Sequence, residues 1–436
     1  MEINVSNDIN KATFLGEIPS QWKVLRIKNL FQEMDSRSET GSEELLSVSH
    51  YTGVTLKRES LENEDDHISN AESLVGYKLV AKGDLVINIM LAWNGSLGIS
   101  PHNGMTSPAY CVYRIKGNNN PEYFAYLFIT NLFKAEFRRN STGIIDSRLR
   151  LYSDKFFSIF SVVPPKEEQD DVVQYIKAQE EKTNLFIQKK QDFIELLQEQ
   201  RRAIINKAVT LGANKNIELN GTDWVKNLPS HWKKGRLKNY STIKGRIGFR
   251  GYTTSDLVDE GEGVLTLGAT HINQVGLIDI RNPVFISWEK YHESPEIKVS
   301  KNDVIIVQRG STCGKAGLVQ NDFGEMTINP SVVLVKNIKI NSEFLLYFLL
   351  GDLIRDNIRQ FVSNTAIPML SQFQIGNFPI FCPPMEEQEQ IVEYIKAETK
   401  AIDTAISKTE REIELIREYK EAMIAELVMG KRKIEK

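Results

Sequence analysis

The chain has few cysteines and no long apolar run. Its three cysteines are odd in number and far apart, which fits reduced thiols and argues against a disulfide framework or a zinc site. No stretch approaches the roughly 18 apolar residues that cross a bilayer. The start, MEINVSNDINKATFLGEIPS, has no basic segment followed by an apolar one, so we expect no secretory signal, no membrane partner and a cytoplasmic location.

The charge balance leaves the choice of partner open. The formal net charge is −3, and 41% hydrophobic with 25% charged residues is ordinary for a globular chain. Phosphate binding depends on where the lysines and arginines lie, so this sum neither demands nor excludes nucleic acid. A length of 436 residues predicts two or more domains.

The motifs of common active sites are missing as well. GSTCGKAG (310–317) has Ala316 where a phosphate loop needs Ser or Thr, so we interpret it as a structural turn. The six histidines show no metal-ligand spacing, and Asp84 and Asp303, which begin strand-like segments, are interpreted as turn residues. No cofactor fingerprint and no Asn-Pro-Pro-aromatic run of an amino-methyltransferase is present. We therefore predict no catalytic residue, no metal ligand and no cofactor site.

What the chain does contain is a long internal repeat. IFSVVPPKEEQDDVVQYIKAQ (159–179) aligns with IFCPPMEEQEQIVEYIKAE (380–398), so that Pro164 falls on Pro383; we call this pair the Pro-Pro motif. IPSQWKVLRIKNL (18–30) aligns with LPSHWKKGRLKNY (228–240), and we call this pair the Trp motif. The order predicts a duplicated architecture, in which a variable unit of about 150 residues alternates with a repeated unit of about 45.

Each Pro-Pro motif introduces a predicted long helix, since proline and the following carboxylates suit a helix start. Apolar residues recur at helical steps from Glu167 to Leu211, and the second copy runs from Glu386 to Met429. Each helix would be about 65 Å long at about 1.5 Å per residue. Because such a helix exposes an apolar stripe, we predict that the two pair as an antiparallel coiled coil. The alternative is that each folds back on its own globular unit.

The variable units have the pattern of mixed α/β domains. Strand-like segments with glycine turns occupy 45–53, 77–90 and 109–117 in the first copy, and 263–272, 303–311 and 331–338 in the second. A helical apolar stretch follows at 121–140 and at 342–362. The predicted fold class is α+β, with two mixed α/β domains, two long helices and an internal pseudo-two-fold duplication. The predicted boundaries are 1–163, 164–212, 213–382 and 383–436.

Cationic residues mixed with aromatic and polar side chains lie in segments of the variable units that we predict to be loops. Arginine is the commonest reader of guanine edges and of phosphates, although any one such residue is often ordinary surface charge. The candidate DNA-binding residues are Arg138, Arg139, Arg148, Arg150, Lys244, Arg246, Arg250, Arg309 and Lys315. The cations that the Trp motif repeats could contact the DNA backbone; they are Lys23/Lys233, Arg26/Arg236 and Lys28/Lys238. The motif is equally well a fold-closing segment in which Trp22 and Trp232 are buried.

This layout resembles the specificity subunit of a type I restriction-modification system. IPSQWKVLRIKN or LPSHWKKGRLKN opens each variable domain, and VPPKEEQDDVVQYI or CPPMEEQEQIVEYI closes it before a long helix. The resemblance covers about residues 15–431 and implies two target recognition domains, each reading one half of a bipartite, asymmetric DNA site. It also implies that the coiled coil is a spacer on which two modification subunits dock.

The resemblance places the chemistry in other chains. The modification subunits would bind S-adenosylmethionine and methylate adenine, restriction subunits would complete the nuclease, and the present chain would not be an enzyme. One departure is that STGIIDSRLRLYSDKF in the first domain differs from SNTAIPMLSQFQI in the second, so we expect different loop geometries and half-sites. The alternatives are a coiled-coil scaffold that reads no DNA, and a stand-alone DNA methyltransferase or nuclease.

Overall fold

The structure is a computed structural model that describes residues 12–57, 74–212, 229–246, 248, 251–362 and 368–434. The chain folds into two compact units, Met1–Lys190 with Glu410–Lys436, and Gln191–Thr409. Each unit contains one variable domain and a stretch of both long helices. The predicted boundaries differ from these units because they were placed at changes of secondary structure, between the domains and the helices. In the structure each long helix contributes residues to both cores.

The first unit is built on an antiparallel four-stranded sheet. Its strands are β1 (Lys23–Arg26), β2 (Phe31–Met34), β3 (Leu46–Ser49), β4 (Gly53–Leu56), β5 (Lys78–Val80), β6 (Leu85–Ile87), β7 (Leu97–Ile99), β8 (Gly104–Thr106), β9 (Cys111–Ile115) and β10 (Phe160–Val163). Its helices are α1 (Ile27–Leu30), α2 (Pro121–Phe128), α3 (Asn131–Asn140), α4 (Ser153–Ser158) and the first part of α5 (Lys166–Leu211). The sheet order is β2-β9-β6-β7, and β1-β10, β3-β4 and β5-β8 form separate pairs.

The second unit repeats this sheet. Its strands are β11 (Lys233–Arg236), β12 (Thr242–Gly245), β13 (Leu257–Val258), β14 (Gly263–Leu267), β15 (Phe285–Ser287), β16 (Val304–Val307), β17 (Ala316–Leu318), β18 (Met326–Ile328), β19 (Val332–Lys336) and β20 (Pro379–Cys382). Its helices are α6 (Leu237–Tyr240), α7 (Trp288–His292), α8 (Ser342–Leu350), α9 (Asp352–Val362), α10 (Gln372–Gly376) and α11 (Met385–Val428). The order β12-β19-β16-β17 matches that of the first unit, and β13-β15-β14-β18 forms a second sheet.

The predicted fold class is confirmed, and the two long helices begin and end within one residue of their predicted bounds. Each predicted apolar helical stretch is two helices rather than one. In the first unit the break falls at Ile129 and Thr130, where the Thr130 hydroxyl accepts a hydrogen bond from the Phe133 backbone N–H and so begins a new helix. In the second unit the break falls at Gly351. Within the described ranges, no helix is long and apolar enough to span a bilayer.

The long helices run antiparallel, as predicted. In the first unit Lys420 pairs with Glu180 at 3.1 Å and Lys190 pairs with Glu412 at 2.6 Å, so residue numbers fall along one helix as they rise along the other. In the second unit Arg201 pairs with Asp403 at 2.7 Å. Apolar residues of both helices join the core of each unit, so each helix packs against its own domain as well as against the other helix.

The Trp motif and the Pro-Pro motif contact each other in both units. Trp22 Nε1 donates to Glu168 Oε2 at 2.9 Å, and Trp232 Nε1 donates to Glu387 Oε1 at 3.0 Å. Both tryptophans are buried, which agrees with the fold-closing interpretation of the Trp motif. Strand β1 pairs antiparallel with β10, and β11 pairs with β20. These glutamates therefore do more than begin a helix, because they fasten the start of each variable domain to its end.

The glutamine of each Pro-Pro motif makes a second repeated contact. Gln169 is buried; its Nε2 donates to the Pro164 carbonyl at 2.9 Å, and its Oε1 accepts from the Asn120 backbone N–H at 2.8 Å. In the second unit the corresponding side chain is Gln388, which makes the same two bonds to Pro383 and Asn341. Each glutamine thus ties the long helix to the N-cap of α2 or α8, whose cap residues are these asparagines.

We expect Gln169→Ala to lower the free energy of unfolding by about 2 kcal/mol or more, because it leaves a buried backbone donor and acceptor unpaired. Urea unfolding of the full chain measures the change. The control is Gln174→Ala, five residues further along the same helix on its exposed face, for which we expect a change within about 0.5 kcal/mol. Equal effects from the two substitutions would contradict the clamp role of Gln169.

Candidate nucleic-acid interface

In each unit, loops converge at one edge of the four-stranded sheet. Strands β2 and β6 both run antiparallel to β9, so both end at the same edge; β12 and β16 are related in the same way to β19. We call this region the loop edge. It comprises residues 88–96 and 138–152 in the first unit, and 308–315 and 368–373 in the second.

The backbone framework of the loop edge is the same in the two units. The Leu151 N–H donates to the Ile89 carbonyl at 3.0 Å, and the Leu370 N–H donates to the Gln308 carbonyl at 2.8 Å. The Pro-Pro motif shift that places Pro164 on Pro383 also places both residues of the first bond on those of the second. The duplication therefore extends into the variable domains, where sequence similarity is faint.

Arg138 and Arg139 lie in the last turn of α3, not in a loop as predicted. The Arg138 guanidinium lies 5.6 Å from the centre of the Trp93 ring and pairs with Asp146 at 2.7 Å. Arg139 pairs with Glu136 at 2.6 Å, and this carboxylate raises the pKa of the guanidinium. Both arginine side chains are more than half exposed, so each keeps donors facing solvent beside its protein contact.

Arg148 and Arg150 lie in the loop that follows α3. Arg148 is exposed, whereas Arg150 is half-buried and donates to the Leu149 carbonyl at 2.7 Å. The structure thus brings the four arginines predicted in the first domain together at one loop edge. Their positive charge lies where backbone groups and apolar side chains are also exposed, which is the composition of a nucleic-acid surface.

In the second unit, Arg309 lies exposed on the loop edge, in a strand-like bridge to Met369. Lys244 is also exposed, but it lies within β12, so the loop predicted for it is wrong. Arg250 lies outside the described residues. Of the cations predicted for this domain, Arg309 is the one that the described structure places openly in a loop at this edge.

Arg246 and Lys315 are engaged with the protein. Arg246 is only 6% exposed; it donates to the Ile328 carbonyl and to Thr327 Oγ1, both at 3.2 Å, and burial lowers its pKa. Lys315 donates to the Ile272 carbonyl at 2.5 Å, and burial lowers its pKa as well. DNA contact by the buried Arg246 would require its bonds to break, which favours a structural role. Lys315 is half-buried and uses one of its three N–H donors on the protein.

The sequence prediction missed the uncharged side chains of the loop edge. In the first unit Leu91, Ile144 and Ile145 are exposed there. In the second unit Met369 and Phe373 are exposed, and Gln372 lies beside Gly245 at the end of β12. One signal in the sequence could have pointed to them, since the two segments before the Pro-Pro motifs differ in sequence. However, an apolar residue type alone does not distinguish a surface residue from a core residue.

The two recurring aspartates are turn residues, as predicted. Asp84 accepts a hydrogen bond from the Ala81 backbone N–H at 3.0 Å, and Asp303 accepts one from Ser300 at 2.9 Å. Burial raises the pKa of Asp303. In the part of the chain that the structure describes, no three His, Cys, Asp or Glu side chains are grouped to hold a metal ion. All three cysteines are free thiols.

Comparison with known proteins indicates the family. Residues 271–415 match the model of the type I restriction modification DNA specificity domain. The chain is 23% identical to the type I restriction enzyme MjaVIII specificity subunit of Methanocaldococcus jannaschii, over 96% of this chain and 94% of that one. It is 22% identical to the putative MjaX specificity subunit of the same organism, over 98% and 97%. The family model and both relatives indicate a type I restriction-modification specificity subunit.

A solved structure agrees with the fold of this specificity subunit. A chain from work on complex assembly and conformational transition of the type I R-M system matches with a TM-score of 0.61 at 14% identity, covering 95% of this chain and 100% of that one. At this identity the match concerns the fold. The family model covers the second loop edge, from β16 through α10, and part of α11.

We expect Arg246→Ala in this specificity subunit to lower the free energy of unfolding by about 2 kcal/mol, because the Ile328 carbonyl and Thr327 hydroxyl lose a buried donor. Arg309→Ala is the matched control, since the same change at an exposed position should stay within about 0.5 kcal/mol. Thermal and urea unfolding measure both. If Arg246→Ala is as mild as the control, the buried role of Arg246 is wrong.

Proposed function

We propose that this specificity subunit reads a bipartite, asymmetric DNA site, one half with the loop edge of each unit. The observation that supports this is one backbone framework carrying two different sets of side chains. The first edge carries four arginines with Leu91, Ile144 and Ile145, whereas the second carries Arg309, Gln372, Met369 and Phe373. Two surfaces on the same backbone framework but with different side chains suit two different half-sites.

The side chains of the two loop edges suit two kinds of DNA contact, to phosphates and to bases. Arg138, Arg139 and Arg148 are exposed cations at the end of a helix and in the following loop, a position that suits phosphate contacts. In the second unit, Arg309 has the donors that match a guanine edge, and the Gln372 amide matches an adenine edge. We propose that the former orient the chain on the duplex and that the latter contribute sequence preference.

We propose that the paired helices set the unread spacing and dock two modification subunits. A helix of 46 residues, the length of α5, measures about 69 Å at about 1.5 Å per residue. In this proposal the modification subunits bind S-adenosylmethionine and methylate adenine, and restriction subunits join them. The present chain then contributes recognition and no catalysis, which fits a sequence without catalytic motifs. The complex would act on double-stranded DNA.

Removing a phosphate contact should weaken binding to all sequences and flatten its salt dependence. For Arg138→Ala in the complex with modification subunits, we expect the slope of log affinity against log salt to fall by about one. Lys82→Ala is the control, because this exposed lysine precedes β6 at the opposite end of the sheet. Fluorescence anisotropy with a duplex of the methylated site, over a salt series, measures both slopes.

Three outcomes would count against the proposal. Equal salt-dependence slopes for the two variants would show that Arg138 makes no phosphate contact. A wild-type complex that binds no duplex would favour the scaffold alternative. Methyl transfer or cleavage by the chain without any partner would favour a stand-alone enzyme.

Lengthening both helices together should change the spacing and not the half-sites. We propose inserting one heptad after Lys190 and one after Thr409, near the Lys190–Glu412 pair, so that the antiparallel pairing is kept. Seven residues add about 10.5 Å, or about three base pairs at about 3.4 Å each. Methylome sequencing of cells carrying the variant system reads the result. An active variant with an unchanged gap would refute the spacer role.

A further inference from the structure

The loop after α3 carries two consecutive isoleucines at its tip. Ile144 is 100% exposed and Ile145 is 53% exposed. A single exposed apolar residue is ordinary on a protein surface. Here two adjacent isoleucines lie at the tip of one loop, and one of them is fully exposed. Such an exposed apolar pair is typical of a surface that contacts a partner.

The loop holds this tip in a defined conformation. Thr142 and Arg150 exchange two backbone hydrogen bonds of 2.9 Å, and the Arg148 N–H donates to the Ile145 carbonyl at 2.8 Å. Gly143 has φ of 142°, and a Cβ at this position would lie 2.5 Å from the Arg148 carbonyl oxygen. Asp146 is tied to α3 by Arg138. A tip that is ordered before binding loses little conformational entropy when it binds.

The surroundings of the tip are positively charged. Between residues 134 and 155 there are six lysines or arginines against three aspartates or glutamates, whereas the whole chain has a net charge of −3. Arg138, Arg139 and Arg148 have exposed side chains on either side of the two isoleucines. An apolar tip between cations fits a polyanion with an apolar interior, which describes duplex DNA better than an apolar protein groove.

We propose that Ile144 and Ile145 form an apolar wedge that enters between neighbouring bases of duplex DNA, in or beside the half-site of the first unit. Arg138 and Arg148 would hold the flanking phosphates. Apolar side chains inserted at a base step unstack it, and burial of the side chains offsets the lost stacking. This inference rests on the proposed DNA reading. It concerns the first unit alone, since the corresponding residues 363–367 lie outside the described residues.

The test uses the full chain in complex with its modification subunits, and a duplex with the methylated site. 2-Aminopurine is placed in turn at each position of the first half-site and its flanks, and its fluorescence reports unstacking. We expect one position other than the methylated adenine to brighten with the wild-type complex. Ile144→Ser/Ile145→Ser should abolish that signal and weaken binding about ten-fold, whereas Ile144→Leu/Ile145→Leu should keep both.

The methylated adenine is the internal control, since a methyltransferase extrudes its target base whether or not a wedge is present. Its signal should be the same in wild type and variants. Unchanged binding and unstacking in the serine variant would overturn the wedge, and so would weaker binding with no unstacked step in the wild type. The same serine variant losing its modification subunits would show that the tip docks protein instead. A wild-type complex that binds no duplex contradicts the proposed function itself, which separates that failure from failure of the wedge.

Discussion

The structure depends on a hydrogen-bonded joint that each unit contains once. A buried glutamine, Gln169 or Gln388, links the start of a long helix to the carbonyl of the preceding proline and to the cap of a domain helix. A tryptophan indole donates to the glutamate one position earlier. Because the glutamines are buried and the glutamates are half-buried, both contacts are costly to lose. The joint therefore orients each variable domain on its helix while leaving the loop edge free to vary.

In the proposed function, this arrangement explains how one framework carries two specificities. The same backbone hydrogen bond joins the loop after β6 to Leu151 and the loop after β16 to Leu370. Around this bond the side chains differ, with arginines and isoleucines in one unit and with Arg309, Gln372 and Phe373 in the other. The loop edge tolerates such exchange because the side chains that differ are exposed at the surface, whereas Leu151 and Leu370 keep their places in the core.

Charge alone did not separate the exposed candidate residues from those that have a structural role. The sequence did not distinguish among nine candidate cations. In the structure the buried Arg246 donates to the Ile328 carbonyl and to Thr327 Oγ1, and Lys315 donates to the Ile272 carbonyl. Both residues lie near glycines in segments that resemble loops, so nothing local distinguishes them from Arg309. Exposed apolar residues were missed for the opposite reason. The residue types of Ile144 and Ile145 are those of a buried strand, but both side chains are exposed at the tip of a loop.

The sequence by itself determined the duplication, because two motifs are repeated. It also determined the two long helices and their antiparallel pairing, since these follow from helical periodicity and from an apolar stripe that needs a partner. Its repeated motifs also carried the resemblance to the type I specificity subunits. The tertiary structure alone decided that the repeated glutamates receive the tryptophan indoles and that the repeated glutamines clamp the domain helices. It also decided which arginines face solvent. The physical reason is distance along the chain: Trp22 and Glu168 are 146 residues apart, and only folding brings such groups within hydrogen-bond reach.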